Sequence, residues 1–198
     1  MHNSGAQWYK NVPGVMALYR HYALHQARPL PLWLIGVPQD AAIKAAVAAL
    51  PAGAEVRFLS GLCNRTLNAV YSSARALLFP SLAEGFGWPI VEAQACGCPV
   101  VSTDDAPMNE IGGPHTLYLP RLQFGDDREA WAAAGAAVVQ NLLNLSEPER
   151  AALRLSGVAW SARFNVDQAA DRYVKIYESV LIRERALQPG TFSKALKG

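Results

Sequence analysis

Apolar and polar positions along the chain alternate between two rhythms. Leu32-Trp33-Leu34-Ile35 is a continuous apolar run ended by Gly36 and Pro38, as in a buried parallel strand. Val56-Arg57-Phe58-Leu59, Ala76-Leu77-Leu78-Phe79 and Pro99-Val100-Val101-Ser102 read as further strands, and Leu117-Tyr118-Leu119 as a short last one. His2-Asn3-Ser4-Gly5 reads as the exit from a strand whose beginning is missing, as though the chain were a piece of something longer. Between the strands the spacing changes. From Asn11 to Gln26 apolar residues recur at Val15, Leu18, Tyr19 and Tyr22, which is helical spacing. Asp40 to Leu50 is an alanine-rich helix stopped by Pro51 and Gly53. Asn64 is placed to cap a helix running to about Ala74. Pro89 to Ala95 is a helix with proline in its first turn, where a missing N–H costs little.

The rhythm then becomes purely helical. Arg128 to Leu145, Pro148 to Phe164 and Val166 to Leu181 predict three successive helices, with Ser146 and Glu149 at capping-box spacing. Ala186 to Gly198 has little periodicity and predicts a frayed tail. One domain over residues 1–183 and a flexible tail over 184–198 are expected. Short apolar strands alternating with helices imply an α/β fold, an open parallel sheet with helices on both faces plus C-terminal helices. In such folds ligands bind beyond the carboxyl ends of the strands.

Composition narrows the function classes. Of 198 residues, 51% are hydrophobic and 17% charged, a globular rather than disordered balance. A net charge of +2 gives no case for nucleic acid. No apolar run approaches the roughly 20 residues that span a bilayer, and no signal peptide is evident. Three cysteines, Cys63, Cys96 and Cys98, fit packing thiols in a reducing compartment better than disulfides. Asp104-Asp105 reads as a loop pair without a third metal ligand, and His21 with His25 as helix-surface residues. Trp8, Trp33, Trp131 and Trp160 read as core; Trp88 is the exception.

Trp88 lies in the run that carries chemistry, Glu84-Gly85-Phe86-Gly87-Trp88-Pro89-Ile90-Val91-Glu92-Ala93. A strand, a glycine loop and a helix N-terminus offer unpaired N–H groups and partial positive charge where a diphosphate can dock. Gly85 and Gly87 let the backbone approach closely. Glu92 lies roughly 6 Å along the helix axis, too far in to cap it, and suits a pair of neighbouring hydroxyls such as those of a ribose. Glu84 precedes the turn and could reach hydroxyls of a sugar joined to that diphosphate. Either glutamate alone also fits a solvated helix face or a loop charge; it is their combination around the glycine turn that points to a nucleotide sugar. A glycosidase pair would instead flank an open sugar cleft.

Pro80 to Ala93, followed by Ala95-Cys96-Gly97-Cys98-Pro99-Val100-Val101, resembles the donor-site signature of retaining GT-B glycosyltransferases of family 4, also called group 1 glycosyltransferases. Asn109-Glu110-Ile111-Gly112 and the Lys-Asn step in Trp8-Tyr9-Lys10-Asn11 extend the likeness, which runs from about His2 to Leu181. The resemblance implies one half of a GT-B fold, a Rossmann-like nucleotide-sugar-binding domain. It implies that Glu84 contacts hydroxyls of the transferred sugar, and that N–H groups of Phe86, Gly87 and Trp88, with Gly85 in the same turn, hold the sugar or distal phosphate. Glu92 would bind the ribose, Lys10 would neutralise the departing diphosphate, and the base would lie near Ser60-Gly61-Leu62. No metal or other cofactor is expected.

Two features depart from the family. The second basic residue usual about six positions before the lysine is replaced by Ser4. The chain also has room only for the donor half, so the N-terminal acceptor domain is absent and the isolated domain is expected to be inactive. Apolar surface around Lys10 or on the final helix would then be unfilled interface. The expected partners are the nucleotide sugar, that missing domain and a saccharide or lipid-linked acceptor. The expected location is cytoplasmic, with contact to the inner face of a membrane only through the full-length protein. The alternative is a non-catalytic nucleotide- or glycan-binding module of the same fold.

Overall fold

The computed structural model describes residues 1–5 and 7–187. Strands and helices alternate along most of it: β1 (His2–Asn3), α1 (Val12–Leu24), β2 (Leu32–Ile35), α2 (Ala41–Ala48), β3 (Val56–Leu59), α3 (Asn64–Ser73), β4 (Leu77–Phe79), α4 (Trp88–Ala95), β5 (Val100–Thr103), α5 (Met108–Gly112) and β6 (Leu117–Leu119). Helices α6 (Arg128–Leu143), α7 (Glu147–Ser161) and α8 (Val166–Leu187) follow. Short 3₁₀ turns occupy Trp8–Lys10 and Gly113–His115.

All recorded strand pairs are parallel. His2 lies opposite Leu34, Leu32 opposite Val56, Leu77 opposite Val100, and Val101 opposite Leu117. These pairings make two three-stranded sheets, β1-β2-β3 and β4-β5-β6. The sheets meet at β1 and β4. The Met1 amine donates to the Ala76 carbonyl at 2.8 Å and the Leu78 N–H to the Met1 carbonyl at 2.8 Å, the alternation of a parallel ladder. The strand order across both sheets is therefore β3-β2-β1-β4-β5-β6. It reverses between β1 and β4, and a doubly wound sheet binds ligands in the crevice beyond such a reversal.

Both faces of the sheet are covered. The α1 residues Val12, Val15, Met16, Leu18, Tyr19 and Tyr22 cluster with Leu32, Leu34, Leu78, Val101 and Leu119 of the strands and with Trp131, Ala132 and Val139 of α6. Each large side chain buried there contributes about 2 kcal/mol of transfer free energy. Leu77, Phe79 and Val100 are completely buried but outside that cluster, so they serve the opposite face, as strand alternation requires. There α4 packs on α3, α5 and α7.

The expected strands and long helices are present, with shifts of a few residues at the ends. Several local expectations are corrected. The cap of α3 is Cys63, because the helix already begins at Asn64. Residues between β5 and β6 form α5, which at five residues is too short to show periodicity in sequence. Trp8 is 75% exposed rather than core. Cys63 is exposed rather than packed, whereas Cys98 is buried.

The chain divides into two compact units, Met1–Ser161 and a second beginning at Ala162. The second holds α8, started by the Asn165 carboxamide oxygen, which accepts from the Asp167 and Gln168 N–H groups. Tyr173 and Tyr177 stack one turn apart, with ring centroids 6.4 Å apart. Helix α8 passes the expected end at Leu181 and the 183/184 boundary; the rest of the expected tail, 188–198, lies outside the described residues.

Candidate active site at the strand-order reversal

Two loops meet where the strand order reverses. After β1 the chain makes its 3₁₀ turn and reaches Asn11, whose φ of 55° is a left-handed conformation that asparagine tolerates. Asn11 is buried and works in two directions. Its carboxamide oxygen accepts from the Gly14 N–H at 3.2 Å, capping α1, and its Nδ2 donates to the Pro80 carbonyl at 2.9 Å. The Leu82 N–H donates to the Tyr9 carbonyl at 2.7 Å, and Thr103 Oγ1 to the Ser81 carbonyl at 2.7 Å. These bonds fasten the loop after β4 to the loop after β1 on one side and to β5 on the other.

The fastening brings Lys10 to Glu84. Lys10 Nζ donates to both carboxylate oxygens, at 2.8 and 3.0 Å. The two side chains are only 15% and 7% exposed. The ammonium also lies 5.2 Å from the Phe79 ring centroid and 5.5 Å from that of Tyr9, within range of their negative faces. An ammonium has three N–H donors, so one remains after Glu84 takes two; the carboxylate keeps further lone pairs for hydroxyl groups.

Beyond Glu84, Gly87 has φ 100° and ψ 41° and begins α4 with no side-chain cap. A Cβ at Gly87 would meet Ile90 Cδ1 at 3.3 Å in a backbone region side chains rarely adopt. Pro89 has no N–H, and the Ile90 N–H returns to the Gly87 carbonyl, so the start of α4 presents few but uncapped donors together with the positive end of its dipole. Phe86 and Trp88 stack at 4.7 Å beside it, and Trp88 is 53% exposed. Gly85 is exposed with open space around it.

Glu92 is not joined to the Lys10–Glu84 pair. The one hydrogen bond recorded for its side chain among the described residues comes from Tyr71 on α3, whose hydroxyl donates to Oε2 at 3.1 Å. Asn3 Nδ2 donates to that hydroxyl at 2.7 Å. Gly61, with φ 64° and open space around it, and half-buried Leu62 follow β3 on the same edge of the sheet. No recorded hydrogen bond links them to the glutamates. Sequence reasoning missed Tyr71, Asn3 and Phe79, since their contacts join distant parts of the chain: Asn3 reaches Tyr71 across 68 positions, and Phe79 meets Lys10 of the loop after β1.

Other titratable groups lie apart from these loops or are held within them. His2 is completely buried at the reversal, donating from Nδ1 to the Leu78 carbonyl at 2.7 Å; burial lowers its pKa to about 4, so the ring is neutral at pH 7. His21 and Arg20 both engage Glu129, an acidic partner that local spacing did not suggest. Asp105 pairs with Arg121 at 3.0 Å and Asp104 accepts from Asn109. Ser4, at the missing basic position, donates to the Gly5 carbonyl. Burial pushes the Cys98 thiol up to about 11, and the Thr66 hydroxyl holds the Cys63 thiol below its ordinary range. Among the described residues no three His, Cys, Asp or Glu side chains gather as a metal site requires. None of the described helices is long and apolar enough to cross a membrane.

The family model described as Glycosyl transferases group 1 matches residues 4–141, which include Lys10, Glu84 and Glu92. The chain belongs to that family. Among curated relatives of this group 1 glycosyltransferase chain, the O-antigen chain mannosyltransferase B of Escherichia coli is 28% identical over 85% of the chain and 42% of the relative. The D-inositol 3-phosphate glycosyltransferase of Mycobacterium leprae is 32% identical over 65% of the chain and 29% of its own length. The chain thus spans less than half of either relative. The pneumococcal O-GlcNAc transferase GtfA, solved in complex with UDP and GlcNAc, superposes with a TM-score of 0.74 at 19% identity, over 91% of this chain and 35% of its own. TarM superposes at 0.67 and 11% identity, over 89% of the chain and 34% of its own. At these identities the structural likeness establishes the fold, Rossmann-like and of the GT-B type.

Proposed function

We propose that this domain binds a nucleoside-diphosphate sugar and serves an enzyme that passes the sugar, with retention of configuration, to a saccharide or lipid-linked acceptor. The observation that carries the reading is the Lys10–Glu84 pair at the strand-order reversal, beside the uncapped start of α4. The diphosphate would lie against the Gly87–Trp88 turn. Its negative charge would be met by the third N–H of Lys10 and the positive end of the helix. Glu84, held next to Lys10, would accept from hydroxyls of the sugar; Glu92, on the helix beyond, would accept from the ribose. The base would lie toward Gly61 and Leu62.

Catalysis in this reading is positioning plus electrostatics. As the bond to the sugar breaks, charge grows on the leaving phosphate, where Lys10 and the α4 N–H groups are already oriented. The leaving phosphate would accept the acceptor's proton, and no protein nucleophile is invoked. Protein groups supply the positive charge, so the reading calls on no metal. The acceptor would be held by a further domain of the full-length protein, which would work in the cytoplasm at the inner face of a membrane.

Calorimetric titration of UDP, GDP and ADP into the protein tests the donor reading. At least one should bind with Kd below about 1 mM, corresponding to about 4 kcal/mol. If none does, the donor site is wrongly assigned. Binding without sugar transfer by the full-length protein would favour a non-catalytic module.

A further inference from the structure

The Glu92 carboxylate is held by a short polar chain that the sequence did not suggest. Tyr71 is completely buried on α3, and Asn3 ends β1 at the strand-order reversal. A tyrosine hydroxyl has one proton to give, and an ionised carboxylate can only accept. That proton must therefore go to Glu92 Oε2, 3.1 Å away, and the amide of Asn3 must present its Nδ2 to the hydroxyl at 2.7 Å. The direction is fixed throughout: amide to hydroxyl to carboxylate. The polar chain runs from β1 through α3 to the carboxylate on α4. Its second oxygen, Oε1, has no recorded partner among the described residues.

We propose that Tyr71 is a positioning residue for ribose recognition: its hydroxyl, oriented by Asn3, fixes Glu92 through Oε2 and leaves Oε1 to accept from the ribose hydroxyls of a nucleoside diphosphate. The inference rests on the ribose reading of Glu92. A phenylalanine would pack in the same space, so packing does not explain the hydroxyl. Burying a hydroxyl is unfavourable unless it is bonded, and here both its bonds lie within the chain that ends at Glu92. Without that chain a glutamate side chain keeps three rotatable bonds, and ordering them is left to the ligand. Burial and the neighbouring Glu92 charge hold the Tyr71 phenol far above its ordinary pKa, so it stays protonated and remains a donor.

The test compares ribose with deoxyribose. UDP, GDP and ADP, with the 2′-deoxy and 3′-deoxy forms of whichever binds, are titrated by calorimetry into the unmodified protein, Tyr71→Phe, Glu92→Gln and the double variant. Melting curves confirm that each is folded. The unmodified protein should prefer the ribonucleotide by about tenfold or more, since each ribose hydroxyl bonds a charged acceptor. Tyr71→Phe should weaken the ribonucleotide by about three- to tenfold, weaken the deoxy forms, which keep one ribose hydroxyl each, clearly less, and add nothing once Glu92 is already Gln. Asn3→Ala, which keeps the phenol, should give a smaller loss of the same kind. If Glu92→Gln removes the preference but Tyr71→Phe preserves it, or weakens ribo and deoxy forms equally, Tyr71 is only structural and the inference fails. If Glu92→Gln leaves the preference intact, the ribose reading itself has failed, and the positioning role with it.

Discussion

The loop carrying Glu84 and the helix carrying Glu92 belong to one short segment, yet their surroundings have little in common. Glu84 is almost enclosed and faces a cation delivered from 74 residues away by the loop after β1. Glu92 is half-buried and faces a neutral hydroxyl from the preceding helix, 21 residues away. The first carboxylate is paired with a cation; the second has a neutral partner at Oε2 and none recorded at Oε1 among the described residues. The difference teaches that two identical side chains in one motif can do different work because their neighbours set what remains available. In the proposed reading, the carboxylate next to the ammonium would belong to a surface where phosphate and sugar meet. The carboxylate next to the phenol would, in the same reading, accept from a neutral hydroxyl pair.

The largest expected effect is on the charged side. Lys10→Met leaves the Glu84 charge enclosed and unpaired, and should destabilise the fold by about 3 kcal/mol in urea denaturation. Adding Glu84→Gln should restore most of that loss. By contrast, Glu92→Gln should change stability by less than about 1 kcal/mol, since Tyr71 can donate to an amide oxygen as well. If Lys10→Met costs no more than Glu92→Gln, the two carboxylates are not in different environments.

The next effect concerns the reversal on which both loops depend. His2 has its pKa lowered from 6.5 to about 4. The unfolded chain therefore binds the proton more readily, and the His2 contribution to stability is complete above about pH 6.5 and lost as pH falls toward 4. At pH 5 this amounts to about 2 kcal/mol, measurable as the difference between urea curves at pH 7.5 and pH 5. The same difference should shrink in His2→Phe. A smaller effect than at His2 is expected at the turn between the glutamates. Gly87→Ala forces a side chain to φ 100° and should cost about 1–2 kcal/mol in thermal or urea unfolding. Because the turn aims both carboxylates, it should weaken donor binding whichever glutamate a given ligand uses.

Much of the fold was legible because apolar runs and glycine or proline stops are local signals. Leu32–Ile35, Val56–Leu59 and Leu117–Leu119 occupy the residues that the pattern predicts. The glycine turn between the glutamates was legible for the same reason. The pairing of Lys10 with Glu84 was not, since it depends on β1 lying beside β4 and on Asn11 reaching Pro80, contacts that span about one third of the chain. Nor was Tyr71, which at helical spacing after Leu67 and Val70 looks like any core aromatic. Trp8 was misread because large aromatics are usually buried, yet it lies on the loop that carries Lys10.

The decisive measurement is a pair of calorimetric titrations, a nucleoside diphosphate and its sugar-linked form, on Glu84→Gln and Glu92→Gln. Glu92→Gln should weaken both ligands about equally, by about 10- to 100-fold. Glu84→Gln should weaken only the sugar-linked form, leaving the plain nucleotide unchanged or slightly tighter as Lys10 is released from its pair. If Glu84→Gln instead weakens both ligands and Glu92→Gln only the sugar-linked one, the division of roles between the two carboxylates is wrong.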